Sequence, residues 1–287
     1  MSTLPLLLAA LLFVGDEPEV KAELIPTEAE ISPGGTTLLA IHLKLEPGWH
    51  VYWENPGDSG LATTAQVKGP EGFVIGPILY PTPESIEQPG GLVCYGYEDS
   101  ACLFVEVTAP EELKGDEFNF SAEVQWLICE EVCFYGEAKL STKLKRSKGS
   151  KGSKLPRTDK RLQPHLDRLP QPLSSWPGAV VELSGSITKP TLLITLPAYE
   201  NLATKTNYKA SVNANFYPKP VPGLEIGLLE VLSHEMSFRA QLSCTFIPSE
   251  DHKTPTIRGV LFVVASGSQH HRFLSIEPTW PSKAEDS

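Results

Sequence analysis

The sequence predicts an all-β protein, made of two antiparallel β-sandwich domains that are joined by a basic linker. Short runs alternate between apolar and polar residues, and turns rich in Pro and Gly separate them. Such alternation is typical of strands that bury one face, and frequent turns favour antiparallel sandwiches. A segment rich in Lys, Arg, Gly and Ser lies between the two strand-rich regions, and this composition predicts a linker.

Length and composition are consistent with two ordinary domains. The chain has 287 residues, of which 41% are hydrophobic, so each domain can bury its own core. The net charge is −11. Because an acidic surface repels phosphate, we expect no nucleic-acid partner.

Residues 1–19 predict an export signal. The apolar run Leu4–Val14 has the length of a signal-peptide core and is too short to cross a bilayer. The first Lys is Lys21, so the usual basic start is missing, and a buried N-terminal strand is the alternative. No later stretch is apolar enough to span a membrane, so we expect an exported product without stable membrane insertion.

The first predicted sandwich covers residues 20–145. Its clearest strand places six apolar side chains on one face: Phe118, Phe120, Ala122, Val124, Trp126 and Ile128. A second run does the same with Leu39, Ile41, Leu43 and Leu45. The strands are separated by turn sequences such as Pro33-Gly34-Gly35 and Pro56-Gly57-Asp58.

We expect residues 146–178 to form a flexible linker and residues 179–282 to form a second sandwich. The stretch Lys143–Arg161 carries nine of the chain's 24 basic residues. No aromatic residues are interleaved with them, which favours a plain linker over a patch for acidic lipid or nucleic acid. Strand-like runs such as MSFRAQLSCTFIP then follow.

Cys129 and Cys133 lie four residues apart at the end of the clearest strand. By parity both point away from the core. In an extended chain their Cα atoms would be roughly 13 Å apart, whereas a disulfide needs about 4.4–6.8 Å. The next run is another alternating strand, so we expect a hairpin with the two cysteines at its shoulders.

A disulfide in this hairpin would add little to the stability of the fold and would be well suited to thiol–disulfide exchange. A small ring adds little chain-entropy stabilisation, and the end of a sandwich is accessible. Glu130 and Glu131 would raise the pKa of both thiols. A purely structural disulfide is the alternative, whereas a zinc site lacks a second pair of ligands nearby.

Four stretches occur in an order that resembles a known family: Gly48–Thr64 (GWHVYWENPGDSGLATT), Ile75–Ile86 (IGPILYPTPESI), Cys94–Asp99 (CYGYED) and Trp126–Cys133 (WLICEEVC). Together they resemble the N-terminal periplasmic domain of the DsbD/ScsB thiol:disulfide interchange proteins. The resemblance implies an immunoglobulin-like domain whose redox pair is Cys129 and Cys133. It also implies electron transfer from a membrane-embedded partner to the disulfides of exported proteins.

The family usually continues into a transmembrane electron carrier, and this chain stops at Ser287. We therefore expect a separate membrane-embedded electron donor and a periplasmic or otherwise exported location. The expected activity is that of a protein-disulfide reductase component without cofactor or metal. The alternative is a non-catalytic binding module with a structural disulfide. A hydrolase has no support, because no Ser–His–Asp arrangement or carboxylate pair is evident.

The other cysteines and a dense aromatic cluster complete the candidate sites. Cys94 and Cys102 flank YGYEDSA; they predict a structural disulfide across a hairpin, or alternatively a second redox pair. We expect Cys244 to be a buried, inert thiol. We expect the side chain of His42 to be solvated. Five residues either pack the end of the sandwich or shield the disulfide: Trp49, His50, Tyr52, Trp53 and Asp58.

Overall fold

The computed structural model describes residues 17–147, 159–197, 212–233, 237–249, 251, 256–265 and 271–278. Within these ranges the regular secondary structure is almost entirely β-strand, which confirms the predicted all-β class. The apolar run of the expected export signal and residues 148–158 of the basic segment lie outside the described residues.

Residues 17–147 form two sheets that pack face to face. The strands are β1 (Lys21–Pro26), β2 (Glu30–Ile31), β3 (Thr36–Lys44), β4 (His50–Gly57), β5 (Thr64–Lys68), β6 (Val74–Leu79), β7 (Glu84–Gln88), β8 (Leu92–Glu98), β9 (Ser100–Thr108), β10 (Glu117–Cys129) and β11 (Cys133–Arg146). The first sheet has the order β1-β3-β9-β6. The second has the order β2-β11-β10-β4-β8-β7, and β5 also pairs with β10. All pairings are antiparallel except that of β2 with β11.

The main core lies between these two sheets, as the alternating sequence predicts. All six apolar residues of the clearest strand are buried in it, as are Leu39, Ile41, Leu43 and Leu45. The opposite face of β10 is exposed from Glu117 to Gln125. The strict alternation of β10 therefore separates a core face from an outer face, and Cys129 belongs to the outer face.

The C-terminal half contains two further sheets around its own core. Its elements are α1 (Gln163–Leu166), β12 (Gln171–Pro172), β13 (Val180–Ser186), β14 (Lys189–Pro197), β15 (Val212–Pro218), β16 (Leu224–Ser233), β17 (Ser237–Phe246), β18 (Gly259–Ala265) and β19 (His271–Ile276). The sheets have the orders β12-β19-β18-β15 and β13-β14-β17-β16. Cys244 is buried in their shared core, as expected. The division into two domains at the basic segment stays a prediction.

The two halves contact each other through the end of β4. Asn55 donates a hydrogen bond from Nδ2 to the carbonyl oxygen of Pro218 at 2.8 Å, and Glu54 pairs with Lys219 at 3.1 Å. Tyr217 is buried as part of the main core of the first half. The same strand that begins beside the disulfide therefore ends against the C-terminal half.

The expectation of a flexible linker is wrong for residues 159–169, which we call the docked segment. Leu162 is fully buried on the outer face of the first sheet, against Ala40, Cys102 and Phe104. Leu166 and Leu169 pack beside it. These three leucines follow one another at a spacing of four and three residues, which is the signal of an apolar helical face. The basic composition of the preceding stretch concealed this signal.

The polar contacts of the docked segment are centred on Arg168. Its Nε donates to the carbonyl oxygen of Thr82 at 2.9 Å, and Thr82 donates from its backbone N and its hydroxyl to the carbonyl oxygen of Arg168 at 2.9 and 3.0 Å. Arg168 also pairs with Glu84, and Arg161 pairs with Glu23. No helix among the described residues is long and apolar enough to cross a membrane.

His42 is buried beneath the docked segment, which corrects the expectation of a solvated side chain. Its ring lies edge-on to that of His165, with 6.0 Å between the ring centroids. Nε2 of His165 lies 3.2 Å from the hydroxyl of Ser100. Burial lowers the pKa of His42, and burial together with the neighbouring His42 lowers that of His165 to about 4. Both rings are therefore neutral at pH 7.

Candidate redox site

The β10–β11 hairpin carries a disulfide between Cys129 and Cys133. Cys129 ends β10, Cys133 begins β11, and the two residues are direct partners in the register. Their sulfurs are bonded and their Cα atoms are 4.2 Å apart. Glu130 donates a hydrogen bond from its backbone N to the carbonyl oxygen of Val132 at 3.2 Å, which closes the turn. The predicted hairpin with bonded cysteines at its shoulders is confirmed.

The two sulfur-bearing residues differ sharply in burial. Cys129 is only 1% exposed, whereas Cys133 is open to solvent. Cys129 lies in a small cluster on the outer face of the second sheet, together with Tyr52, Ile86 and Cys94. The expectation of an accessible disulfide is therefore correct for Cys133 and wrong for Cys129. Parity gave the correct face, but a second layer of side chains covers that face at Cys129.

His50 and Tyr52 form the polar part of this cover. His50 is the register partner of Cys129 on β4 and is 3% exposed. Its Nε2 lies 3.3 Å from the hydroxyl oxygen of Tyr52 and 3.4 Å from Nε2 of Gln88. Burial lowers the pKa of His50 and raises that of Tyr52. The cover over Cys129 is therefore uncharged at neutral pH.

Residues 57–62, which we call the covering loop, fold over Tyr52. A Cβ atom on Gly60 would lie 2.3 Å from the Tyr52 ring, and the φ of Gly60 is +103°. Only glycine fits both the backbone conformation and the close approach. Asp58 fastens the loop to β8, because its carboxylate accepts a hydrogen bond from Val93 N at 2.8 Å and its own N donates to Val93 O at 3.0 Å.

The five residues expected to pack the sandwich end or shield the disulfide fall into separate groups. His50 and Tyr52 lie beside Cys129, and Asp58 fastens the covering loop. Trp53 faces the opposite side of β4, where it is fully buried in the main core. Its ring lies 6.4 Å from those of Tyr95 and Tyr217. Trp53 therefore packs in the core and does not shield the disulfide.

Trp49 also lies apart from the cluster around Cys129. Its ring packs at 5.9 Å from that of Phe134, the residue after Cys133, and both rest against the main core. This contact anchors the start of β11 from the core side. Trp49 therefore supports the hairpin rather than covering the outer face.

The expected disulfide between Cys94 and Cys102 is wrong, because both are free thiols. Cys94 lies on β8 in the second sheet, and Cys102 lies on β9 in the first. The chain passes from one sheet to the other at Asp99, which has a φ of +60°, so YGYEDSA is not a hairpin within one sheet. Burial raises the pKa of both thiols, which keeps them protonated and unreactive.

The surface around Cys133 is apolar and acidic. Val132 and Tyr135 are 54% and 55% exposed, and Glu130, Glu131 and Glu137 are exposed beside them. The sequence interpretation missed this surface, although exposed apolar residues next to the cysteine pair were a readable signal. Among the described residues, no group of three or more His, Cys, Asp or Glu could hold a metal ion.

Residues 21–145 match the family described as thiol:disulfide interchange protein DsbD, N-terminal. The matched residues include the hairpin and both of its cysteines. Within these limits the chain resembles DsbD N-terminal domains. The match ends just before the docked segment, so it leaves the C-terminal half undescribed.

A structural likeness extends over both halves of the chain. The crystal structure of the N-terminal periplasmic domain of ScsB from Proteus mirabilis has a TM-score of 0.56 at 15% identity, and the match covers 93% of this chain and 95% of that one. At this identity the likeness concerns the fold.

A second solved structure overlaps only part of the chain. The reduced DsbD N-terminal domain of Neisseria meningitidis has a TM-score of 0.26 at 14% identity, covering 42% of this chain and 84% of that one. The comparison with curated proteins gave no match.

Proposed function

We propose that this protein is an exported thiol–disulfide exchange component that acts in the periplasm. Its Cys129–Cys133 pair accepts electrons from a membrane-embedded donor and reduces disulfides of exported proteins. The observation that carries the proposal is a disulfide with one buried and one exposed cysteine at the tip of a hairpin. The match of residues 21–145 to the DsbD N-terminal family supports the same chemistry.

The difference in burial suggests which cysteine attacks. In the reduced protein the thiolate of Cys133 attacks one sulfur of the substrate disulfide, and the second substrate sulfur leaves as a thiolate. Cys129 then attacks the sulfur of Cys133 and releases the first substrate sulfur. Two electrons pass to the substrate, and its two thiolates take up the two protons that the cysteines lose.

The fold tolerates opening of this bond. The ring contains only five residues, so the chain-entropy stabilisation is at most about 2 kcal/mol. The β10–β11 ladder continues from the cysteines to Glu117 and Lys145 without the bond. Reduction therefore changes the tip of the hairpin and leaves its stem paired.

The surface around Cys133 favours a partner with a complementary patch. Val132 and Tyr135 offer apolar contact beside the reactive sulfur. The carboxylates of Glu130, Glu131 and Glu137 surround them and attract basic side chains. We therefore expect donor and substrate proteins to present a disulfide or thiol within a basic, partly apolar surface.

Trapping experiments on single-cysteine variants test the proposal. We expect prereduced Cys129→Ser to form a stable mixed disulfide with a disulfide-bonded peptide, because Cys133 attacks and nothing resolves. Cys133→Ser should form this adduct at least about tenfold more slowly, because Cys129 is buried. The Cys129→Ser/Cys133→Ser double variant measures the background from the three free thiols.

The outcomes separate the proposal from its rivals. Equal trapping by both single variants would refute Cys133 as the attacking residue. If neither variant traps peptide and the prereduced protein does not reduce it, the disulfide is structural, and a non-catalytic binding module takes the place of the exchange function.

A further inference from the structure

We propose that His50 accepts the proton of Cys129 when this buried thiol resolves the mixed disulfide. The inference rests on the proposed exchange function and deepens it by assigning a base to its second step. It concerns a residue for which shielding was the only expected functional role.

The position of His50 follows from the register of the second sheet. His50 and Cys129 are directly opposite each other on β4 and β10, so their side chains leave the same face of the sheet. Directly opposed residues of antiparallel strands have Cβ atoms about 4.5–5.5 Å apart. Both residues are almost completely buried, at 3% and 1% exposure. Tyr52 contacts the ring of His50 and belongs to the cluster around Cys129, so the imidazole and the thiol lie under the same cover.

The resolving step needs a base under this cover. A thiol attacks as a thiolate, and the apolar neighbours Ile86 and Leu127 disfavour that charge. In the oxidised protein the sulfur of Cys129 is bonded to Cys133 and carries no proton. The need for a proton acceptor arises only after reduction, when Cys129 is a free thiol beneath its cover.

The other titratable groups around Cys129 are unsuited to this task. Burial raises the pKa of Tyr52 and of Cys94, so both keep their protons. The carboxylates of Glu98, opposite His50 on β8, and of Glu130, next to Cys129, are exposed to solvent rather than enclosed under the cover. His50 is neutral at pH 7, because burial lowers its pKa, and it therefore has a lone pair available.

The neighbours of His50 hold its ring in place. Nε2 is engaged with the Tyr52 hydroxyl at 3.3 Å, and Gln88 approaches the same nitrogen at 3.4 Å. Among the described residues Nδ1 has no hydrogen-bond partner. In the tautomer with its hydrogen on Nε2, His50 donates to the Tyr52 oxygen, and Nδ1 carries the lone pair that takes the proton. The amide nitrogen of Gln88 is itself a donor, so in this tautomer it contacts Nε2 without a hydrogen bond.

The step balances as follows. The S–H bond of Cys129 breaks and its proton passes to Nδ1 of His50. The thiolate forms a bond to the sulfur of Cys133, while the bond from Cys133 to the substrate sulfur breaks. The electron pair of that bond leaves on the substrate thiolate, and the imidazolium returns its proton to solvent.

A chromophoric disulfide, 5,5′-dithiobis(2-nitrobenzoate), separates the two steps. Prereduced protein releases one thionitrobenzoate when Cys133 attacks and a second when Cys129 resolves. For His50→Gln we expect the first release to be unchanged at pH 7 and the second to slow by about tenfold or more. The deficit should shrink as pH rises, because hydroxide increasingly removes the Cys129 proton in place of His50.

Controls distinguish a proton acceptor from a structural residue. His42→Gln makes the same change at a buried histidine of the other sheet and should leave both releases at the wild-type rate. His50→Asn is a second variant, should His50→Gln fail to fold by its urea midpoint. A second release that is unchanged in folded His50 variants, or slowed equally at every pH, would overturn the assignment. Absence of both releases in the wild type would instead refute the exchange function.

Discussion

The two outer faces of the first sandwich are each covered in part, but by different means. The covering loop folds over Tyr52 on the second sheet, within the sequence that follows β4. The docked segment lies on the first sheet and begins at the end of the basic stretch, more than 100 residues after β3. Each cover conceals a free thiol, Cys94 under the first and Cys102 under the second.

The difference lies in what holds each cover and in what borders it. The docked segment is fixed by a buried leucine, ion pairs and several hydrogen bonds. The covering loop is fixed by Asp58 and by the contact of Gly60 with an aromatic ring. Only the covering loop lies on the side of the molecule that carries a disulfide with an exposed cysteine. The covering loop, which has few contacts, therefore lies near the disulfide, where access to sulfur is needed for exchange. The docked segment, which has many contacts, covers a face without a disulfide.

The largest expected effect comes from loosening the docked segment. Leu162→Ala should lower the free energy of unfolding by about 2–5 kcal/mol, because Leu162 is fully buried and its removal leaves a cavity. Urea unfolding measures the change. Leu61→Ala, at a residue 60% exposed, should change stability by less than about 0.5 kcal/mol. Similar values for the two variants would mean that the docked segment adds no packing energy.

A smaller effect is expected at the covering loop. Gly60→Ala places a Cβ against the Tyr52 ring and should cost about 1–3 kcal/mol, because the loop must shift. We also expect dithiothreitol to reduce the disulfide faster. Gly91→Ala is the matched control, since Gly91 also has a positive φ, of +80°, but no atom within 4 Å of an added Cβ. Equal reduction rates in the two variants would refute a gating role of the loop.

The smallest expected effect is a dependence on pH at the docked segment. The pKa of His165 is about 4 in the folded protein, below its ordinary value of 6.5. The unfolded chain therefore binds a proton that the folded one does not, and stability falls as pH drops from about 6.5 toward 4. His165→Gln should flatten the urea midpoint over this range. An unchanged slope would assign the pH dependence to other groups.

The sequence predicted those features that depend on local alternation. The core face of β10 and the hairpin at Cys129 follow from period-two patterning and from the reach of an extended chain. The Cys94–Cys102 pairing failed because β8 and β9 belong to different sheets, and local spacing does not reveal a change of sheet.

The features that depend on a second layer of residues were not predictable in the same way. Burial of Cys129 requires the covering loop and β7, and burial of His42 requires residues from beyond the basic stretch. Both covers join segments that are distant along the chain or lie outside the strands. Strand patterning carries no information about such contacts.

The docked segment has a consequence for dividing this protein into fragments. The family match ends at residue 145, yet the outer face of the first sheet is completed by Leu162, Leu166 and Leu169. A fragment that ends at residue 145 would expose Ala40, Cys102 and Phe104 to solvent. The Cys102 thiol would then lie on an exposed apolar patch, where it is no longer protected by burial. The smallest fragment that keeps this face buried includes the docked segment, so it is longer than the part of the chain that the family match covers.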